Sequence, residues 1–423
     1  MQPANVELFS RVRYILTTGL APFDDLIGGF PFGRISEIYG PEHCGKSALA
    51  IRASIRAHLK NIVEVVSDNG TRIVRPLDKK KVEVYVVHVD NEQSVDEYRN
   101  EVDGIEFHSL DIDTARIDTI EDINKLVDAS VKATMSCQKE RPDTLFFTVI
   151  VIDTLAATSS NDEMDRPWGD RDFDRRAYRV HELMRRMVRR INKANVLLLC
   201  TNQVRIKYDN ARKNKFGVRI LDDEYTSSGG SGLKYFSTHR VFMWRLPSRY
   251  KMHPKAKFPD GELISFYSSK NRCGFAPFRE GRLALLFGDK SGHGGGMSQE
   301  YSILETLIYL KFAECGGGAR RTDSDSGSGR EIVFKFSSNG VPIKTFGNAT
   351  LTLDEADLAR GKNKRVRDPR IEDRSQWLDF YRAHKQDLDN LYAAAVQWAA
   401  ATNAPINSDD EEDDVDGRGQ DND

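Results

Sequence analysis

The chain has no apolar run near the roughly 20 residues that a membrane helix needs, and its start, Met1-Gln2-Pro3-Ala4-Asn5, lacks the charged and then apolar pattern of a secretion signal. Those absences point to a cytoplasmic protein with no membrane partner. Cysteine is scarce: Cys44, Cys137, Cys200, Cys273 and Cys315 are odd in number and show no paired spacing, so neither a zinc site nor a disulfide framework is indicated and the thiols are expected to be reduced. Net charge is nearly absent too, at −2, but the balance is uneven. Residues 408–423 carry nine acids against one arginine, so the rest of the chain is basic. Asp409 to Asp414 is too charged to fold alone and reads either as a solubilising extension or as an internal competitor for a basic surface that binds nucleic acid.

What is present starts at Gly40. Residues Gly40-Pro41-Glu42-His43-Cys44-Gly45-Lys46-Ser47 fit the phosphate-loop pattern of two glycines followed by Lys and a hydroxyl residue. The apolar-rich stretch Arg34 to Tyr39 precedes it and a helical run from Ala48 to Ile55 follows, so strand, loop and helix stand in the required order. Backbone N–H groups and a helix N-terminus present positive charge to phosphate oxygens, and glycine allows their close approach. The nucleotide contacts expected are Gly40 through Ala48, with Lys46 reaching the β and γ phosphates and Ser47 ligating Mg²⁺. Cys44, at a helix N-terminus, reads either as a small buried side chain that simply fits or as a thiol of lowered pKa whose oxidation or alkylation blocks ATP binding.

Three further apolar runs end in polar residues. Val82 to Val89 is followed by Asp90-Asn91-Glu92, Phe146 to Ile152 by Asp153-Thr154, and Val196 to Leu199 by Cys200-Thr201-Asn202-Gln203. In a parallel α/β sheet the carboxyl ends of strands share an edge, so these groups and the phosphate loop converge on one crevice. Ile62 to Val66 and Thr71 to Val74 flank Asn69-Gly70, the signature of a hairpin.

Thr17 to Gly29 and Gly33 to Glu42 closely resemble, in spacing and residue type, the corresponding segments of RecA-like recombinases of bacteria or phage. That resemblance implies an α/β fold: a RecA-like P-loop ATPase core with a mostly parallel central sheet, a small α+β C-terminal domain and an acidic disordered tail. The boundaries expected are residues 1–30 for an N-terminal lead-in, 31–290 for the core, 297–404 for the small domain and 405–423 for the tail. The hairpin insertion at 61–81 has no counterpart in the family pattern.

By resemblance, Glu92 is the water-activating carboxylate, placed just beyond the tip of a strand beside the phosphate-loop strand. Asp153 holds Mg²⁺ with Ser47, Asp96 contacts adenine and Gln203 senses the γ phosphate. Lys270 and Arg272 reach across a subunit interface to the neighbour's nucleotide, and Phe287 covers the neighbour's adenine. Two segments match DNA-binding loops: 160–176, with Trp168, and 206–228, with Lys207, Arg212, Lys213, Lys215, Phe216 and Arg219. Cations there neutralise phosphates and aromatic rings offer stacking faces.

Between the loops, Val180, Met184, Met187, Val188 and Ile191 recur at helical spacing, while Arg185, Arg186, Arg189 and Arg190 fall off that stripe as either a solvated face or part of a DNA groove. Near the C-terminus, Arg360 to Arg370 is a dense basic cluster able to receive duplex DNA or dock the acidic tail, and Trp377, Tyr381, Leu388, Tyr392 and Trp398 share one helical face. The resemblance implies a DNA-dependent ATPase that uses ATP and Mg²⁺. Its partners would be single-stranded DNA, homologous duplex DNA and further copies of itself in a helical filament with ATP at the subunit interfaces. Lys270-Asn271-Arg272 is also similar to RadA-type branch-migration ATPases, so a ring-forming or helicase-type motor is the alternative.

Overall fold

The computed structural model describes residues 12–68, 71–92, 101–102, 105–165, 175–206, 225–227, 232–250, 258–273, 279–288, 295–310, 313–316, 333–338, 341–342 and 377–402. The chain divides into two compact units, Met1–Thr306 and Leu307–Asp423.

The first unit starts with β1 (Tyr14–Leu16), α1 (Ala21–Ile27) and β2 (Phe30–Pro31), followed by β3 (Ile35–Gly40), α2 (Lys46–His58), β4 (Ile62–Asp68), β5 (Thr71–Pro76) and β6 (Val82–Asp90). After a small antiparallel pair, β7 (Glu101–Val102) and β8 (Ile105–Glu106), come β9 (Asp113–Ala115), α3 (Ile120–Glu140), β10 (Leu145–Asp153), α4 (Asn161–Met164), α5 (Arg175–Ile191) and β11 (Val196–Ile206). The unit continues with β12 (Tyr225–Ser227), α6 (Gly232–Phe236), β13 (His239–Tyr250), β14 (Gly261–Asn271), β15 (Glu280–Leu286) and β16 (Gly296–Ser298). Helix α7 (Gln299–Tyr309) then carries the chain across the division between units.

One sheet dominates, in the order β16-β15-β14-β13-β3-β11-β10-β6-β9, with β12 paired to β11. From β13 to β9 every neighbour is parallel, and β14, β15 and β16 add an antiparallel flank. The sequence explains the parallel part. Parallel strands are covered on both faces and so read as continuous apolar runs, and Phe147 to Ile152 are buried on both faces. Alternate residues Val87, Val89, Ile150, Ile152, Leu198 and Cys200 pack with Ile123, Val127, Met184 and Met187 of α3 and α5. On the other face Ser54 of α2 meets His88, with Oγ and Nδ1 2.9 Å apart. Each fully buried Leu, Ile or Val contributes about 1.5–3 kcal/mol, which fixes both the faces and the register.

A four-stranded sheet, β2-β1-β4-β5, lies alongside. Its β4–β5 hairpin pairs Asp68 with Thr71, leaving two residues for the turn as Asn69-Gly70 implies. Helix α5 buries Val180, Met184, Met187 and Ile191, as their spacing implies. The segment Gly296–Ser298 pairs with β15, so residues 297–306 lie with the first unit.

The second unit contains β17 (Ala313–Gly316), β18 (Val333–Ser338) and β19 (Val341–Pro342), paired antiparallel in that order, then α8 (Trp377–Ala383) and α9 (Lys385–Thr402). The aromatic stripe that reads as one helical face is split between two helices, with His384 at the break. Trp377, Tyr381, Leu388 and Tyr392 are buried. Tyr381 donates to Asp389 Oδ1 at 2.6 Å, and burial pushes its hydroxyl up to about 12. The basic cluster at 360–370 and the acidic tail lie outside the described residues. No described helix is long and apolar enough to cross a membrane.

Candidate active site

The phosphate loop joins β3 to α2 as its sequence requires. Gly45 sits at φ 78 as the N-cap of α2, and His43 is also left-handed at φ 54. At Gly40 the constraint is space: a Cβ would lie 2.0 Å from the Met243 carbonyl oxygen on β13. Lys46 Nζ lies over the loop, donating to Gly40 O at 3.2 Å and Pro41 O at 2.5 Å. Ser47 and Ala48 are in the first turn of α2, where backbone N–H groups have no partner within the helix. Pro41, Glu42 and His43 form the outer rim, with Glu42 and His43 exposed.

Cys44 does not fit the reactive-thiol expectation. It is 1% exposed, its Sγ donates to Pro41 O at 3.0 Å, and burial pushes the thiol pKa up. Desolvation of the thiolate outweighs the favourable pull of Lys46.

Register carries the polar strand ends to the same edge. Gly40 is in line with Gln203, and Asp153 with Asp90. Asn91 N donates to Asp153 O at 2.7 Å, which extends the ladder by one residue and sets the position of Glu92. Gln203 Nε2 then donates to Glu92 Oε1 at 3.2 Å. Glu92 is held above the usual carboxylate range, chiefly by burial and further by Asp153, while Lys46 and Gln203 pull the other way. The strand carrying Glu92 is not beside the phosphate-loop strand, as the sequence reading had it: β11 and β10 intervene. Gln203 on β11 bridges that gap.

Asp153 is 1% exposed. Thr201 Oγ1 donates to its Oδ1 at 2.5 Å, while Oδ2 has no hydrogen-bond partner among the described residues. A buried carboxylate oxygen left open beside a phosphate loop fits a hard cation shared with phosphates, and Ser47 supplies a hydroxyl of the same hard-donor class.

Sequence reasoning missed three supporting groups. Thr201 orients Asp153. His88, fully buried on β6, is kept from charging by desolvation, although Asp153 and Asp90 favour the proton. Glu37 is wholly buried within β3, bonded to Arg240 Nε at 2.5 Å and Asn202 Nδ2 at 3.1 Å, and the Arg240 guanidinium lies 4.2 Å from the Tyr39 ring centre. A single acid inside an apolar strand was the available signal, since such a group needs a buried partner.

Lys270 and Arg272 lie elsewhere. Lys270 is in register with Arg240, at the opposite edge of the sheet from Gln203 and Gly40. Its Nζ donates to Lys234 O at 2.8 Å and Tyr235 O at 2.9 Å, at the end of α6. Burial, with Arg272 and Arg240 adding to it, lowers its pKa to about 8. Arg272, one residue past β14, lines a cavity of about 300 Å³ with Arg34, Asn192, Tyr235 and Thr238. Both cations therefore stand beside α6, away from the chain's own phosphate loop.

Phe287, just past β15, is 47% exposed, and its N–H donates to Asp260 O at 2.8 Å. Asp96, Trp168, Lys207, Arg212, Lys213, Lys215, Phe216 and Arg219 lie outside the described residues. Ile206 pairs with Tyr225, so the two described ends that flank residues 207–224 lie side by side, close to Gln203. On α5, Arg179, Arg186 and Arg190 pair with Asp162, Glu182 and Asp128, while Arg185 and Arg189 are exposed.

The family model for the RecA N-terminal domain matches residues 5–291, which hold every part of this crevice. The chain belongs to the RecA family. Among curated relatives, Protein RecA of Leptospira meyeri is 24% identical over 325 residues, covering 76% of this chain and 70% of that protein. A DNA repair protein recA homolog 3, mitochondrial, of Arabidopsis thaliana is 26% identical over 336 residues, covering 79% and 65%. Protein RecA of Borrelia hermsii is 26% identical over 311 residues, covering 73% and 72%. The match to the family model ends at residue 291, before the second unit begins at Leu307.

Proposed function

We propose that this chain is an ATP-dependent DNA recombinase that assembles on single-stranded DNA as a helical filament, pairs it with homologous duplex DNA and promotes strand exchange in recombination and repair. Membership of the RecA family supports this, as do relatives named Protein RecA and DNA repair protein. The observation that carries it is the 3.2 Å hydrogen bond from Gln203 to Glu92. It joins a carboxylate placed to activate water to the strand that leads directly into residues 207–224.

In this reading the loop amides from Gly40 to Ala48 and the Lys46 ammonium hold the ATP phosphates. Mg²⁺, held by Ser47 and through water by Asp153, would neutralise charge on the β and γ oxygens. Glu92, with its raised proton affinity, takes the proton of the attacking water as the bond between the γ phosphorus and its bridging oxygen breaks and ADP leaves. Gln203 cannot bond the γ phosphate and Glu92 in the same way at once. Its amide therefore reports phosphate occupancy to β11, and residues 207–224 grip or release DNA accordingly. Asp96 and Phe287 would contact adenine, the latter in the neighbour. Trp168, Lys207, Arg212, Lys213, Lys215, Phe216 and Arg219 would contact DNA.

Electron microscopy of the full chain with single-stranded DNA and a slowly hydrolysed ATP analogue tests the assembly. Helical filaments that need both ligands are expected. Closed rings, or no assemblies while DNA-stimulated ATP hydrolysis persists, would replace the filament with a motor of the same family.

A further inference from the structure

The hairpin insertion builds a cationic surface far from the nucleotide crevice. Strand β6, nine residues long, separates Lys81 at its start from Asn91 at its end, a distance of about 30 Å at the usual rise per residue. Lys60, at φ 59, follows α2 and reaches the Lys79 carbonyl at 3.5 Å, and Lys79 Nζ donates to Asn61 Oδ1 at 3.3 Å. Residues Lys79–Lys81 form a 3-10 turn whose N-cap, Asp78, accepts from the Lys80 N–H at 3.1 Å. Leu77 N donates to Ile62 O at 3.1 Å and ties the turn to β4. Beside it, Arg75 pairs in register with Glu64, which is bonded to Arg13 at 3.0 Å.

Arg13, Arg75, Lys79, Lys80 and Lys81 are exposed and Lys60 is half-buried. The two carboxylates within this surface are already engaged, Asp78 with backbone and Glu64 with Arg13. The nearby Glu83 is held by both Nη atoms of Arg141. Arg75, Lys80 and Lys81 make no ion pair among the described residues. A solvated charge run would not need its backbone pinned at the cap and at the strand junction. Here the backbone that carries the like charges is pinned, which keeps them close together and favours a polyanion that supplies several charges at once.

We propose that Arg13, Lys60, Arg75, Lys79, Lys80 and Lys81 form a second nucleic-acid site that takes the phosphate backbone of duplex DNA. Lysines act as point charges that read no base, which suits sequence-independent backbone contact. Residues 60–81 contain no aromatic residue, so the surface lacks the stacking platform that binds unpaired bases. The inference rests on the DNA-binding reading of the RecA core. A strand held at the carboxyl edge requires a duplex to be brought to the same molecule, and a weak second site raises its local concentration.

The test uses the full chain with Lys79→Gln, Lys80→Gln and Lys81→Gln combined, and separately Lys80→Glu, whose side chain is exposed. Duplex affinity is measured by fluorescence anisotropy across a salt series, alongside ATP hydrolysis stimulated by single-stranded DNA. The triple variant is expected to lose about two to three units from the slope of log affinity against log salt, because each neutralised phosphate contributes about 0.9. Its duplex affinity is expected to fall tenfold or more at low salt, with stimulated hydrolysis unchanged. Unchanged slope and affinity in both variants overturn the proposal. So does tighter duplex binding, which would mean that the surface instead holds the chain's own acidic tail. Absence of DNA-stimulated hydrolysis in the unmodified chain would count against the RecA-type function alone, since the loss of duplex affinity is read without ATP.

Discussion

Lys270 and Gly40 stand at opposite edges of one sheet: Lys270 is in register with Arg240, Arg240 with Glu37, and Gly40 lies three residues further along β3. Along the strand alone that is about 10 Å, with two strand spacings to cross as well. A lysine so placed cannot serve its own phosphate loop. If it serves a nucleotide at all, that nucleotide belongs to another copy of the chain.

Mixing variants tests this. Lys46→Ala and Lys270→Ala should each abolish DNA-stimulated hydrolysis alone. Mixed in equal amounts they should recover about one quarter of normal activity, the share of head-to-tail interfaces that combine an intact loop with an intact Lys270. No recovery in assemblies shown to contain both variants would mean that Lys270 does not act across an interface.

Glu92→Gln should lower DNA-stimulated turnover by about 10²–10⁴-fold, the usual range for removing a general base, while nucleotide affinity stays within a few-fold. Gln203→Ala should instead break the link between nucleotide and DNA. ATP analogues would bind as before but no longer tighten DNA binding. Nucleotide binding, turnover and DNA affinity measured on both variants separate the two roles, and equal effects would show that the pair acts only as a structural contact.

His239 gives a pH dependence. It is fully buried between Phe23 and Phe30, and desolvation lowers its pKa to about 4. The unfolded chain therefore binds a proton that the folded chain refuses between pH 6.5 and about 4, and stability falls as pH drops through that window. The full loss is on the order of 3 kcal/mol. Asp24 on α1, pushed up to about 6 by burial, contributes with the opposite sign between pH 3.8 and 6. Comparing denaturation midpoints of His239→Phe and the unmodified chain at pH 7 and pH 5 isolates the histidine. The variant should lose less stability on acidification, and equal losses would mean that His239 is already protonated when folded.

Arg240 and Glu37 form an ion pair that water does not reach, with side chains 3% and 0% exposed. Arg240→Met would leave Glu37 charged and unpaired and should cost about 3–5 kcal/mol. Adding Glu37→Gln should recover part of it, because a neutral amide can still accept from Asn202. Chemical denaturation of the single and double variants measures the coupling, which should exceed about 1 kcal/mol for groups in direct contact.

Much of this site is local and was therefore readable. The phosphate loop depends on residues adjacent in sequence, Gly40 to Ser47, whose turn, helix start and donor groups are set by their own backbone. The strands carrying Asp153 and Gln203 announced themselves as apolar runs, and the β4–β5 hairpin followed from Asn69-Gly70 between β-prone segments. Family resemblance supplied roles, which spacing alone does not contain. The single helical face expected from Trp377 to Trp398 failed because periodicity marks burial but not the break at His384.

By itself the sequence determined which segments become strands and helices, which strand ends are polar, and that a phosphate-binding loop starts α2. These follow from side-chain periodicity and from backbone preferences within a few residues. Only the tertiary structure decided the strand order β3-β11-β10-β6, the contact of Gln203 with Glu92, the burial of Glu37 against Arg240, and the place of Lys270 at the far edge. Those depend on which apolar faces α2, α3 and α5 cover, a choice made by packing between residues as many as 245 positions apart.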